Sequence, residues 1–395
     1  MSILDDIEEV SSQILSSFPP SFIQFLETND IDPTIYTVQS LPRYIRLNTQ
    51  FPSSQLPSLS DLSSQLDCTQ IHQIPNFPHF YSLPSVIKIV NSLAYKQGKI
   101  FGIDLSSAIA VYSLDIHPND QILDLCCAPG AKLCLISNLL DSKGVGTITG
   151  VDISKNRLSV CKNLCKKYKL AKVRLFLEDG TRFNVLAPSY LEPIKKIIEK
   201  NRIQNDNKNE VRELSFKEFG EIQCSDKNDL IITPFWTPKI LRNDPQKRDN
   251  KYLYDKVIVD AECTHDGSIS HILKYEKSGW ENFEKNFLNP DRLNSLWDLQ
   301  RALLQNGWNL LKPGGILIYS TCSLSKKQNE DVIGWFLANY QNAQLETIPN
   351  IENLKTAPPK LCNNNVDLFK VARFDPIHSK TSGFFIAKIK KITEP

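Results

Sequence analysis

Between Lys99 and Lys391 the apolar residues come in short runs, most of them followed by a stretch with helical spacing. "QILDLCCAPGAK" is an apolar run that breaks into a turn at Gly130, and "LCLISNLL" after it has the spacing of a helix. "TITGVD" is a second run, closing on an acid. "SKNRLSVCKNLCKKYKL" then reads as an amphipathic helix capped by Ser154. "VRLFLEDG" and "DKVIVDAEC" are a third and a fourth run. The helix "LQRALLQNGWNLL" stops at Pro313-Gly314-Gly315, and "ILIYSTCSL" is a fifth run. Short runs of this kind are strands buried on both faces, and their alternation with helices predicts a parallel, doubly wound α/β sheet.

Two segments break the rhythm. Residues 1–100 read as a separate small α+β unit, with a helical pattern at Ile3, Ile7, Val10 and Ile14. A Pro/Ser-rich connector follows near Phe51–Ser64, and "YIRLNT", Tyr44–Thr49, alternates like a strand. Residues 101–395 form the larger domain. Inside it, residues 191–251 carry the polar stretches "KNRIQNDNKNEV" and "RNDPQKRDNK" and read as a surface insertion.

Composition changes this picture little. The 395 residues carry a net charge of +2, so any nucleic-acid surface must come from local clustering. "SKNRLSVCKNLCKKYKLAKVR" and "KIKK" are the candidate basic clusters, although a Lys-rich helix face is more often simply solvated. The acidic start "MSILDDIEEV" argues against a secretory signal or transit peptide, and no run approaches the ~18 apolar residues of a membrane span. A soluble, intracellular monomer, cytoplasmic or nuclear and not secreted, is expected. The ten cysteines include no C-x-x-C pair, so reduced thiols are expected and no metal.

In a doubly wound sheet, ligands bind beyond the carboxyl ends of the strands. Four acids stand at such ends: Asp124, Asp152, Asp179 and Asp260. Asp152 lies 22 residues after Gly130 (152 − 130) and is placed to accept hydrogen bonds from both ribose hydroxyls. The turn has one glycine and matches neither a dinucleotide nor a nucleoside-triphosphate loop. It can hold a small anion, such as the carboxylate of a methionine moiety, on backbone N–H groups. Asp179-Gly180 can receive an adenine amine. Together these suit S-adenosylmethionine.

Two thiols join the same crevice, Cys263 after the fourth strand and Cys322 in "YSTCSLSKKQNED" after the fifth. A thiol near a methyl donor suits methylation of cytosine C5, which attacks only after a thiolate has added to C6. An acid must then support the charge that develops at N3.

"LDLCCAPGAK", "VDIS", "EDG", "VIVDAEC" and "LLKPGGILIYSTCSLSKKQNEDVI" resemble the motifs of the RsmB/Nop2/Sun family of RNA cytosine-C5 methyltransferases. The resemblance covers roughly residues 99–390. "TSGFFIAKIKK" is similar to the family's terminal strand and "YIRLNT" to its N-terminal RNA-binding unit. The resemblance implies a class I S-adenosylmethionine-dependent methyltransferase, with a Rossmann-like sheet whose last strand is antiparallel. It implies RNA as substrate; the sequence does not say which RNA, and tRNA is placed ahead of rRNA. Cys322 becomes the nucleophile, Cys263 the residue that helps release product, and Asp260 a contact to the ring. The cofactor-binding set becomes Cys126, Cys127, Ala128, Pro129, Gly130, Ala131 and Lys132 of the turn, with Asp152, Arg157, Asp179, Gly180 and Asp260.

The chain departs from the family where the first cysteine usually follows Pro and precedes Ser-Gly. Glu262 stands before Cys263, and Thr264-His265-Asp266 follow. Losing the proline frees φ and restores an N–H. His265 has two readings, a loop histidine, which is preferred, or an acceptor for the C5 proton. A catalytically impaired RNA-binding protein, with Glu262 as the lesion, is the alternative. A small-molecule or protein methyltransferase, which would not need Cys322, is a third reading.

Overall fold

The structure is a computed structural model, and it describes residues 12–38, 40–140, 144–188, 232–238, 241, 253–352, 354–360 and 366–393. The expected helix through Ile3, Ile7 and Val10 and most of the 191–251 insertion lie outside these residues.

The N-terminal strand expected from "YIRLNT" is β1, Arg43–Leu47. It is one of the two inner strands of an antiparallel sheet ordered β2-β3-β1-β4, where β2 is His72–Gln73, β3 Phe80–Leu83 and β4 Ile100–Gly102. The five apolar runs form β5 (Gln121–Asp124), β6 (Thr147–Asp152), β7 (Val173–Leu177), β8 (Tyr254–Asp260) and β9 (Leu311–Thr321). They belong to an eight-stranded sheet ordered β10-β12-β9-β8-β5-β6-β7, with β10 Ala343–Glu346 and β12 Phe384–Lys391. β11, Ala372–Phe374, pairs with β12. β5 to β9 are mutually parallel, and β12 runs antiparallel to β9.

Successive side chains of a strand point to opposite faces, so a sheet buried on both sides feeds two cores. Ile122, Ile148, Ile258 and Ile318 enter one apolar cluster; Leu123, Val151, Val257, Val259 and Leu317 enter the other. Both faces are therefore dry, as the unbroken apolar runs required. A third cluster joins Phe18, Phe22, Phe25 and Tyr36 to Ile269, Ile272, Phe283 and Leu324, residues that follow the ends of β8 and β9. It brings N-terminal residues against the two loops that carry the cysteines. Among the described residues no helix is long and apolar enough to cross a membrane.

Candidate active site

The parallel register sets Asp124 beside Ile258 and Asp260 beside Ser320, so the carboxyl ends of β5, β8 and β9 lie side by side. The turn after β5 and the loops after β8 and β9 therefore start side by side.

The turn after β5 is held by backbone. Cys127 N–H donates to Val151 O at 2.9 Å, and Ala128 N–H reaches the Asp152 carboxylate at 3.3 Å. Gly130, at φ +107°, caps the helix Ala131–Leu139; a Cβ there would meet Cys161 and Leu164 at 3.3 Å. Asp152 also accepts from Ser154 N–H at 2.9 Å. A carboxylate has about four acceptor positions, so ribose hydroxyls still find room on it. Arg157 donates to Ala128 O at 2.7 Å and faces Asp152 at 3.7 Å, which makes it a brace for the turn. At the end of β7, Asp179 receives Thr181 N–H at 2.9 Å, and Gly180 sits where a Cβ would meet Leu303 at 2.8 Å and Leu125 O at 2.9 Å.

One orphan atom speaks for the cofactor. Asp124 is buried; among the described residues its Oδ1 accepts only a long 3.3 Å bond from Cys126 N–H, and its Oδ2 has no hydrogen-bond partner. Burial, then the nearby charge of Asp260, pushes its pKa up to about 7. A bound ammonium would satisfy both the atom and the charge. The amino group of a methionine moiety, whose carboxylate the adjacent turn can hold, provides one. The residues present therefore fit S-adenosylmethionine.

Lys132 reaches across to the end of β8. Its Nζ donates to Asp260 Oδ2 at 2.6 Å and lies over the Phe384 ring, 4.9 Å from the centroid. Burial pushes the Lys132 ammonium down, but the Asp260 charge outweighs it and the pKa is raised. The Lys132 side chain holds the Asp260 carboxylate, whose Oδ1 accepts from Ser320 at 2.9 Å, beside the turn expected to bind cofactor.

The sulphurs of Cys263 and Cys322 lie 3.3 Å apart, and His265 Nδ1 stands 2.8 Å from Cys322 Sγ and 3.8 Å from Cys263 Sγ. The Cys263 thiol donating to it lowers the Cys322 pKa; burial opposes this, His265 adds to it, and the result is about 6. Cys263 moves the other way, pushed up by burial and by the same contact. For His265, burial works downward, and hydrogen bonding to the Cys322 anion raises its pKa nevertheless.

His265, read from the sequence as a loop histidine, lies in the loop after β8 with its ring turned onto the two thiols. Two facts of the sequence pointed to that contact: it stands two residues from Cys263, and it takes the place of a family glycine. Its φ is +56°.

The loop that carries it is pinned on all sides. Thr264 N–H donates to Gln328 at 3.1 Å, Gly267 N–H to Cys322 O at 3.0 Å, and Leu324 N–H to the buried Asp266 carboxylate at 2.7 Å. The Tyr36 hydroxyl donates to Asp266 O at 2.9 Å, so the N-terminal residues hold the loop as well. Glu262 points out of the crevice and pairs with Arg292, leaving only its backbone carbonyl inside, where Gln300 donates to it at 2.9 Å.

The basic clusters divide. In "KIKK" Lys388 and Lys390 pair with Glu346 at 3.2 and 3.6 Å, and Lys391 donates to the carbonyls of Trp308 and Leu311 at 2.7 and 2.8 Å. These lysines are engaged within the sheet, each with a partner of its own. Lys155 and Lys166 on the helix Lys155–Lys167, and Lys169 just beyond it, are exposed.

Residues 111–197 and 230–390 match the family model described as 16S rRNA methyltransferase RsmB/F. The chain belongs to that family. Over 319 residues it is 23% identical to ribosomal RNA small subunit methyltransferase F of Shewanella piezotolerans, covering 80% of this chain and 50% of that one. It is 24% identical to the tRNA (cytosine(72)-C(5))-methyltransferase NSUN6 of Mus musculus, covering 79% of this chain and 55% of the other. The chain thus spans about half the length of these curated relatives. The crystal structure of NSun6 from Pyrococcus horikoshii with SFG shares the fold, with a TM-score of 0.61 at 17% identity over 96% of this chain and all of that one.

Proposed function

We propose that the chain transfers a methyl group from S-adenosylmethionine to C5 of a cytosine in RNA, through a transient bond between Cys322 and C6. The observation that carries this reading is Cys322 itself. It is a thiol with pKa about 6, next to an Asp260–Lys132 pair and across from the cofactor turn. A thiolate at neutral pH is the nucleophile that cytosine requires.

The cytosine leaves its stack to enter the crevice. Cys322 Sγ adds to C6, and the π electrons of C5=C6 make C5 nucleophilic. As negative charge builds at N3, the ring takes up a proton there, handed on by Asp260 from the Lys132 ammonium bonded to it, with Ser320 holding the other carboxylate oxygen. The cofactor supplies an electrophilic methyl on a sulfonium. A base then takes the C5 proton, the C5=C6 bond re-forms and Cys322 leaves; Cys263, 3.3 Å away, is the group assigned to this release. The outward Glu262–Arg292 pair favours this reading over a binding-only protein, since it keeps Glu262 off the thiols.

The substrate is a structured RNA. Names among the relatives divide between tRNA and rRNA enzymes, and tRNA is the substrate we put first. The test is incubation of the purified chain with tRNA and rRNA and a labelled methyl donor, followed by bisulfite sequencing. Methylated cytosine in tRNA, absent with Cys322→Ala and Cys322→Ser, is expected. Undiminished transfer by either variant would overturn the covalent route, and label confined to rRNA would overturn the choice of tRNA.

A further inference from the structure

We propose that His265 is a catalytic residue: its imidazolium stands as the permanent partner of the Cys322 thiolate, stabilising that sulphur both when it attacks C6 and when it leaves. This rests on the covalent reading above and adds to it a charge partner where the family usually has glycine.

The geometry makes the case. Nδ1 is 2.8 Å from Cys322 Sγ, within reach of an N–H···S⁻ bond, and it is nearer to that sulphur than to Cys263 at 3.8 Å. The ring is set by its backbone. At φ +56° His265 occupies the left-handed region, which side chains with a Cβ avoid. The neighbouring residues keep it there through Thr264 N–H to Gln328, Gly267 N–H to Cys322 O and Asp266 to Leu324 N–H. A residue held in an unfavourable conformation by so many bonds needs a reason to be something other than glycine, and the ring's contact with Cys322 is that reason.

The charges facing the pair agree. From its own strand and loop come the carboxylates of Asp260 and Asp266, which favour the imidazolium. From the turn after β5 comes Lys132, already paired to Asp260. From the helix Ile269–Ser278 comes His271, with its ring centroid 5.8 Å away; its pKa is lowered by burial and then by His265, so it does not compete for the proton. Cys263 and Tyr319 are both raised by burial and stay protonated.

The step balances without moving the histidine's proton. The lone pair of the thiolate forms the S–C6 bond. After methyl transfer a separate base removes the C5 proton, the C–H electrons restore C5=C6, and the S–C6 pair returns to sulphur beside the waiting imidazolium. A thiolate so stabilised is a better leaving group, which favours release as well as attack.

Site-resolved alkylation of Cys322 by iodoacetamide, followed by mass spectrometry on the full chain from about pH 5 to pH 9, tests this without RNA or cofactor. Wild type should react with a midpoint near pH 6. His265→Gly, which relieves the left-handed backbone and so should fold, should move the midpoint up by more than one unit. A rise of one unit corresponds to a roughly fivefold slower reaction at pH 6, approaching tenfold at pH 5. Added imidazole should recover part of the rate. His265→Asn, a neutral donor that also tolerates this φ, should fall between the two. An unchanged midpoint in His265→Gly, or a wild-type midpoint in the ordinary thiol range, would overturn the proposal. The covalent reading fails separately: if Cys322→Ala still methylates RNA, the pair can titrate as described and yet have no part in catalysis.

Discussion

Replacing Asp124 by Asn should strengthen the empty protein and weaken its hold on cofactor. Asp124 is 1% exposed, with one oxygen unpartnered, and its pKa is about 7 against 3.8 for a free aspartate. The difference is about 3 units, which at about 1.4 kcal/mol each is about 4 kcal/mol. The sign follows from proton counting. Between the unfolded and the folded pKa the folded state keeps a proton that the unfolded state has lost, so stability falls as pH rises from about 4 to about 7 and is level above. Asn cannot ionise and removes that fall. Its own buried N–H₂ can cost about 1–3 kcal/mol, but equally at every pH. The clean quantity is therefore a double difference: the Asn variant's advantage in urea unfolding should be roughly 3 kcal/mol larger at pH 8 than at pH 5. Calorimetry should show weaker S-adenosylmethionine binding by the variant. It should also show a proton released when wild type binds near pH 6, because a bound ammonium favours the carboxylate. An equal stability difference at both pH values would refute the buried-charge reasoning, and unchanged affinity would refute the ammonium assignment.

Other outcomes follow from the same geometry. Cys263→Ala should let Cys322 attack and then fail to let go, leaving a protein–RNA complex that survives denaturing electrophoresis; full turnover with no such band would move release to another group. Asp152→Ala, which removes ribose contacts and the brace for Ala128 N–H, should weaken cofactor binding by roughly 1–3 kcal/mol in a calorimetric titration. Gly180→Ala should destabilise the fold by about 1–3 kcal/mol in urea unfolding, since its Cβ would press on Leu125 O, a backbone atom that cannot step aside.

The sheet was readable because each strand is buried on both faces: a run such as "KVIVD" has one interpretation once helices flank it. The terminal β12 came through likeness, not periodicity, and β10 and β11 passed unnoticed, being short and partly polar. In the site, the acids at Asp124, Asp152, Asp179 and Asp260 were legible because a strand end is a fixed place in a parallel sheet. What one side chain does after leaving its strand was not. Lys132 was grouped with its turn, yet its four-carbon stem carries the ammonium to Asp260 on another strand. His265 was discounted because a loop residue has no periodicity to betray its direction, and its contact with Cys322 depends on a φ that sequence does not display. The lysines of "KIKK" looked free because their partners, Glu346 and the carbonyls of Trp308 and Leu311, lie far away in the chain.

The closeness of the two sulphurs, 3.3 Å, has a bearing on how the protein is handled. A disulfide needs about 2.05 Å between sulphurs, and small rotations about the Cα–Cβ bonds cover the difference. A low-pKa thiolate with a second thiol at this range is what mild oxidants convert first. Once joined, Cys322 is no longer a thiolate and cannot add to C6, while the strands and turns around it need not move. An oxidised sample would therefore look well behaved by every structural criterion and still be silent, so the active fraction of any preparation is a record of the oxidants it has met, and thiol reductant belongs in the assay as much as substrate does.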